Sequence, residues 1–195
     1  MIAIVWMFFI SILFGQDGFL SFLYIFLISY VGHFVLHDDL FSWIPYSILH
    51  RYHHSVHSPF SYVVNILSEC SQLNLGLFFL PLNPWSMLFG TLLFVSIHYI
   101  NYSWLHVNKY HEKHHDRIDT NMAPDVLDTL FGTKHPDTPE WEDTTHMIPN
   151  VVVSALIVFW LKSHYKPSWD RIFLYFSTGL LICLILAATI IKGKV

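Results

Sequence analysis

Apolar runs broken by short polar stretches set the frame of this chain. Residues 1–15 (MIAIVWMFFISILFG) are apolar, Gln16-Asp17-Gly18 interrupts them, and residues 19–36 (FLSFLYIFLISYVGHFVL) form a second run. About 20 helical residues match the ~30 Å hydrocarbon core of a bilayer. The second run approaches that length; the first is shorter and suits a locally thin bilayer. Together they predict a helical hairpin. Residues 37–60 are polar, aromatic and rich in histidine. Residues 61–80 turn apolar again, with Asn65, Glu69, Gln72 and Asn74 interspersed. Pro81-Leu-Asn-Pro84 breaks the helix, and 85–100 returns as the second arm of another hairpin. The block 101–149 is the most polar and holds no run long enough to span. Residues 151–161 are too short for a clear span and read as interfacial, whereas 172–191 are uncharged and long enough to cross.

The pattern predicts an all-α integral membrane protein. Two helical hairpins would lie in the membrane under a cytoplasmic, histidine-rich helical cap, with a C-terminal transmembrane helix. The matching division is 1–32 for the N-terminal membrane helices, 33–133 for a histidine-bearing catalytic domain that includes the hairpin 61–100, and 134–195 for a C-terminal polar segment and membrane helices.

Composition sharpens this reading. Hydrophobic residues make up 54% and charged residues 12% of the 195, against roughly 25% charged in an ordinary soluble domain. Disorder, a coiled coil and a nucleic-acid binder are excluded on that basis, and a net charge of −4 offers no polyanion a partner surface. Cys70 and Cys183 are too few and too far apart to form a disulfide framework. Arg51, Lys109, Lys113, Arg117 and Lys134 all lie in the two histidine-bearing blocks, while the loops 16–18 and 81–84 carry no basic residue. The positive-inside rule then turns the histidine blocks to the cytosol. Lys162, Lys166 and Arg171 favour a cytosolic loop as well, which is why 151–161 is expected at the interface.

Histidine is the unusual component: 14 residues, as many as Asp and Glu together. His33 and His37 form H-x-x-x-H; His50, His53 and His54 form H-x-x-H-H, with His57 beyond; His98 ends the second hairpin; His111, His114 and His115 form a second H-x-x-H-H. Residues at i and i+4 share a helical face, so two imidazoles can bind one ion. In H-x-x-H-H the middle residue points slightly aside, which suits two metals. Imidazole takes zinc, copper, iron or nickel. His33, His37, His50, His53, His54, His98, His111, His114 and His115 are therefore the predicted metal ligands. His57, His106 and Asn101 are further candidates for the metal or its surroundings. Asp38, Asp39, Asp116 and Asp119 stand beside the clusters as acceptors for imidazole N–H groups, and Asp128 either does the same or caps a local helix. His135, His146 and His164 belong to no cluster and read as surface residues.

Two other functions compete. His111-Glu112-Lys113-His114-His115 satisfies H-E-x-x-H, the zinc-protease pattern with Glu112 as base. That stretch is polar rather than membrane-embedded, and an intramembrane zinc metalloprotease would leave the earlier histidines without a task. A non-enzymatic metal-binding or transport protein needs ligands in midmembrane, whereas these lie at the ends of the apolar runs.

The order H-x-x-x-H, H-x-x-H-H, a single His after a Pro-broken hairpin, then H-x-x-H-H resembles the integral-membrane fatty acid hydroxylase/sterol desaturase superfamily. Asn121-Met-Ala-Pro124-Asp-Val-Leu-Asp128-Thr-Leu-Phe-Gly132-Thr133 is similar to that family's N-x-x-P…D-x-x-x-G-T segment, and HRYHHSVHSPF with Glu69 downstream to its second-cluster region. The likeness covers residues 33–133. It implies an oxidoreductase of lipid metabolism in the endoplasmic reticulum, with two iron ions (zinc being able to replace them in isolated protein) and dioxygen as co-substrate. Such an enzyme hydroxylates or desaturates a lipid such as a sterol or fatty acyl chain. The chain has no flavin or nicotinamide fingerprint, so a separate b-type cytochrome and its NAD(P)H reductase are the implied electron donors.

Overall fold

The computed structural model describes residues 2–192, and among these every regular element is helical. The helices are α1 (Ile2–Leu13), α2 (Gly18–His37), α3 (Pro45–Ser55), α4 (Pro59–Asn74), α5 (Pro84–Ser96), α6 (Tyr110–Asp116), α7 (Asp125–Phe131), α8 (Ile148–His164) and α9 (Trp169–Lys192). A π-helical stretch, Ile97–Trp104, continues α5.

Local chemistry explains where these helices begin. Pro45, Pro59, Pro84 and Pro149 stand in the first turns of α3, α4, α5 and α8, where a missing N–H costs nothing. Ser58 and Ser61 form a reciprocal capping box at α4, and the Asn83 side chain accepts from Trp85 N and Ser86 N at α5. α1 and α2 meet so closely that a Cβ on Gly18 would run into the Ser11 carbonyl, so only glycine fits there.

The long helices run between two ends of one bundle. At one end Asn83 Nδ2 donates to Gln16 O and Lys162 Nζ donates to Phe14 O at 2.6 Å, which joins the α1–α2 turn, the α4–α5 turn and the end of α8. At the other end lie the histidines, and there Ala3 N donates to Thr144 Oγ1. Phe14, Phe89, Leu93, Val151 and Val158 pack α1, α5 and α8 together. Ile25, Leu73, Leu77 and Met87 join α2, α4 and α5, and Leu49, Val64, Cys183 and Ala187 hold α9 against α3 and α4.

Three helical segments are long and apolar enough to cross a membrane: 18–37, 144–164 and 169–192. Only 11% of the most apolar window of the last is buried against protein, and Phe173, Leu174, Leu181 and Ile185 are all exposed. A helix apolar on every side and left bare needs lipid, not water, around it. The expectation for 151–161 is corrected. That segment belongs to a helix of spanning length, and Lys162 sits beside Phe14 at the end away from the histidines. The sequence misled because the helix borrows its first turns from residues 144–150, which read as polar.

Candidate metal centre

Four elements bring the histidines together. The last turn of α2 carries His33 and His37; α3 carries His50, His53 and His54; the π-helical stretch carries His98; α6 carries His111, His114 and His115. They sort into one group of His37, His50, His54 and His114 and another of His53, His111 and His115, with the ligand atoms of each group within 4.8 Å of one another. In each H-x-x-H-H cluster the outer two histidines stay together and the middle one crosses to the other group. This is the outcome of helical geometry, since i and i+4 share a face and i+3 is rotated from it.

The spacing of nitrogens fits a metal. Nε2 of His37 lies 3.2 Å from that of His50 and 3.3 Å from that of His114, and His54 Nε2 lies 3.1 Å from His50 Nε2. In the other group His115 Nε2 and His111 Nε2 are 2.8 Å apart. Nitrogens about 2.1 Å from a shared ion would be separated by roughly 3.0–3.4 Å. Hydrogen bonding alone does not satisfy the cluster. His50 Nδ1 is held by Asn65 Oδ1 and His114 Nδ1 by Thr120 O at 2.8 Å, so each presents a bare Nε2 lone pair. His37 Nε2 can donate to His114 and His54 Nε2 to His50, but that leaves Nδ1 of His37 and of His54 as buried lone pairs. His53 is buried with neither ring nitrogen bonded, and His37 Nδ1, His54 Nδ1, His98 Nε2 and His115 Nδ1 are also buried without partners. Each such atom costs about 1–3 kcal/mol, a cost that coordination by cations would offset for the nitrogens facing the groups.

Burial also keeps the rings uncharged. It holds His53 down to about 3 and His115 down to about 4, with the neighbouring imidazoles adding to the effect. His50, His54, His111 and His114 lie well below the ordinary range for the same reason. Neutral imidazole is the form that binds metal.

Glu69, named in the sequence only for its place downstream of the second cluster, is a site residue. It is buried on α4, forms a third group with His33 and His50, and lies 3.3 Å from His98 Nδ1. Asn65 Nδ2 donates to the same carboxylate and to Tyr99 OH. A carboxylate that accepts from the Nδ1–H of His98 leaves Nε2 free as a ligand. The signal was there: Asn65, Glu69 and Gln72 recur at helical spacing in an otherwise apolar run.

The segment 121–133 is a clamp. Asp128 accepts from Met122 N, Ala123 N and Thr133 Oγ1, and Asn121 N donates to Thr133 O. Gly132 takes φ +71° to end α7. The folded loop presents Thr120 O to His114. His33 Nδ1 is held by Ser29 O, and its ring lies 5.0 Å from that of His50 and 5.3 Å from that of His114. The His98 ring lies 4.2 Å from His111. His57 and His106 are exposed, the latter paired with Glu112 at 3.0 Å. Asp38 caps a short turn at Leu40, Asp39 pairs with Arg51, Asp116 with Lys113 and Asp119 with Arg117.

His164 is exposed, as expected. His135 and His146 are not surface residues: their side chains are 11% and 14% exposed. His146 joins Asn101, Asn108 and Glu142 because the loop before α8 folds back over the π-helical stretch. Asn101 thus contacts His146 and Asn150 rather than a histidine group.

A cavity of about 140 Å³ opens against both groups, with His33, His98, His111 and His114 in its wall. Ile4, Met7, Ile25, Gly90, Leu93 and Phe94 make its deeper part apolar. Comparison with known protein families, characterised proteins and solved structures returns no match.

Proposed function

We propose that this chain is a two-metal, dioxygen-dependent lipid hydroxylase or desaturase, an oxidoreductase of the integral-membrane fatty acid hydroxylase/sterol desaturase type. One observation carries the reading: two adjoining groups of neutral imidazoles, with buried nitrogens lacking partners, line an apolar cavity that descends into a bundle of membrane-type helices. His37, His50, His54 and His114 would hold one iron ion, and His53, His111 and His115 a second with His98 beside them. When bound, such a pair supplies the activation of dioxygen that attack on an unactivated C–H bond requires.

The chain's own residues do the rest. Ser29 O, Asn65, Glu69 and Thr120 O fix the ring orientations of His33, His50, His98 and His114. The apolar wall around Ile25 and Leu93 excludes water and takes a hydrocarbon tail. His111 and His114, one from each group, face the cavity, so a carbon held there meets both. We further infer that α1–α2 and α4–α5 are hairpins in the bilayer of the endoplasmic reticulum, that α8 and α9 also cross it, and that the histidine end faces the cytosol. Arg51, Lys109, Lys113, Arg117 and Lys134 at that end outnumber Lys162, Lys166 and Arg171 at the other. Electrons then come from a separate b-type cytochrome and its reductase.

The zinc-protease reading is disfavoured by Glu112, which is exposed and bonded to His106 rather than placed at the cavity. Lipid profiling of cells expressing the chain or its His53→Ala variant tests the proposal. A hydroxylated or desaturated lipid that depends on His53 is expected; identical lipid profiles in iron-replete cells would refute it.

A further inference from the structure

The cavity is apolar along most of its length, yet Glu142 and Asp125 stand in its wall at the histidine end. Asp125 is neutralised: Lys134 Nζ lies 2.6 Å from Oδ1, and Glu142 N donates to Oδ2. Lys134 is committed there and to the Glu140 carbonyl. Glu142 is different. Its side chain is only 7% exposed, and all three of its side-chain hydrogen bonds fall on Oε1. Tyr102 OH and Asn108 Nδ2 donate at 2.6 Å each, and His146 Nε2 lies at 3.3 Å. His146 Nε2 also faces Asn108 Nδ2, at 3.2 Å. Oε2 has no partner. That oxygen has acceptor capacity to spare, on a side chain that lines the cavity.

The geometry points to Glu142 as the residue that selects the lipid's head: Oε2 accepts a hydrogen bond from a non-anionic donor head, a hydroxyl or an amine, and turns away carboxylate lipids. This rests on the reading of the cavity as a lipid site. Tyr102 links the two functions, since its ring stacks 5.9 Å from His111 while its hydroxyl holds Glu142. The head is therefore bound at the histidine end, and the tail runs toward Ile25 and Gly90, about 12 Å deeper by the rise between Ile25 and His33. The carbons beside the imidazoles are those near the head, not those at the tip of the tail.

Equilibrium binding of radiolabelled hexadecan-1-ol, hexadecan-1-amine and hexadecanoate to the purified full chain in neutral detergent tests this. The alcohol or the amine should bind at least about tenfold tighter than hexadecanoate, and the tighter of the two names the source of the donor. Glu142→Leu should erase that gap, and Glu142→Gln, which sets a donating Nε2 where Oε2 stood, should weaken the amine by at least about tenfold and admit hexadecanoate. Hexadecanoate binding as tightly as both donors to the unaltered chain overturns the inference and leaves the lipid reading standing, whether or not the variants fold. A preference that survives in folded Glu142→Leu overturns it too. Binding of none of the three removes the lipid reading, and the inference with it.

Discussion

The two histidine groups arise from near-identical sequence clusters, yet they are held differently. In the group of His37, His50, His54 and His114, two rings are anchored at Nδ1, by Asn65 and by Thr120 O. In the group of His53, His111 and His115, no ring is anchored that way: His53 has no hydrogen bond at all, and His115 Nδ1 is buried without a partner. An anchored imidazole is oriented before metal arrives, whereas an unanchored one is ordered by the metal itself. On the proposed function the first group would be a prepared metal site and the second an adaptable one; each contributes one ring to the cavity wall.

The largest effects should fall on both groups alike. His114→Ala and His111→Ala each remove a cavity-wall ligand, and lipid product should drop by more than about 100-fold in either. Product retained by one of them would show that a single group suffices. Asn65→Leu should separate the groups: it frees His50 Nδ1 and should weaken one metal by about 10–100-fold. Chelator titration should then show one ion lost early in the variant, while in the unaltered chain the ion held by His53, His111 and His115 leaves first. A single release step in the unaltered chain would abolish the distinction.

Acid offers a gentler test. In metal-free protein His53 and His115 are held down to about 3 and about 4, against an ordinary 6.5. The unfolded chain binds protons that these folded rings refuse. Their contribution to stability is therefore complete above pH 6.5, falls as pH drops below it, and is gone near pH 3. Thermal unfolding of metal-free protein should lose about 5 °C or more between pH 7 and pH 5. Metal-loaded protein should lose less, because coordination opposes protonation. Equal losses would mean that these rings do not hold metal. The smallest effect belongs to Glu112→Gln, which should change product by less than about twofold because Glu112 touches only His106; a large loss with metals retained would revive the protease.

The two groups were legible in sequence because i, i+3 and i+4 positions have fixed directions on a helix, so H-x-x-H-H announces its own split. The apolar runs also announced an all-helical, membrane-type chain. What surrounds the histidines was less visible. Glu69 sits 29 positions before His98, and Glu142 and His146 come from a loop whose return over Tyr102 depends on tertiary packing. The π-helical stretch 97–104 left no periodic signal, and α8 was cut short because its first turns are polar. Asn121, Asp128 and Thr133 were recognised as a motif, but their work proved to be tying one loop under His114.

Elemental analysis of the purified, iron-loaded chain tests the central claim most directly. Two transition-metal ions per chain are expected, with metal lost in both His50→Ala and His53→Ala and kept in His164→Ala. One ion per chain, retained when His50 or His53 is removed but lost with His111 or His115, would contradict the two-metal account.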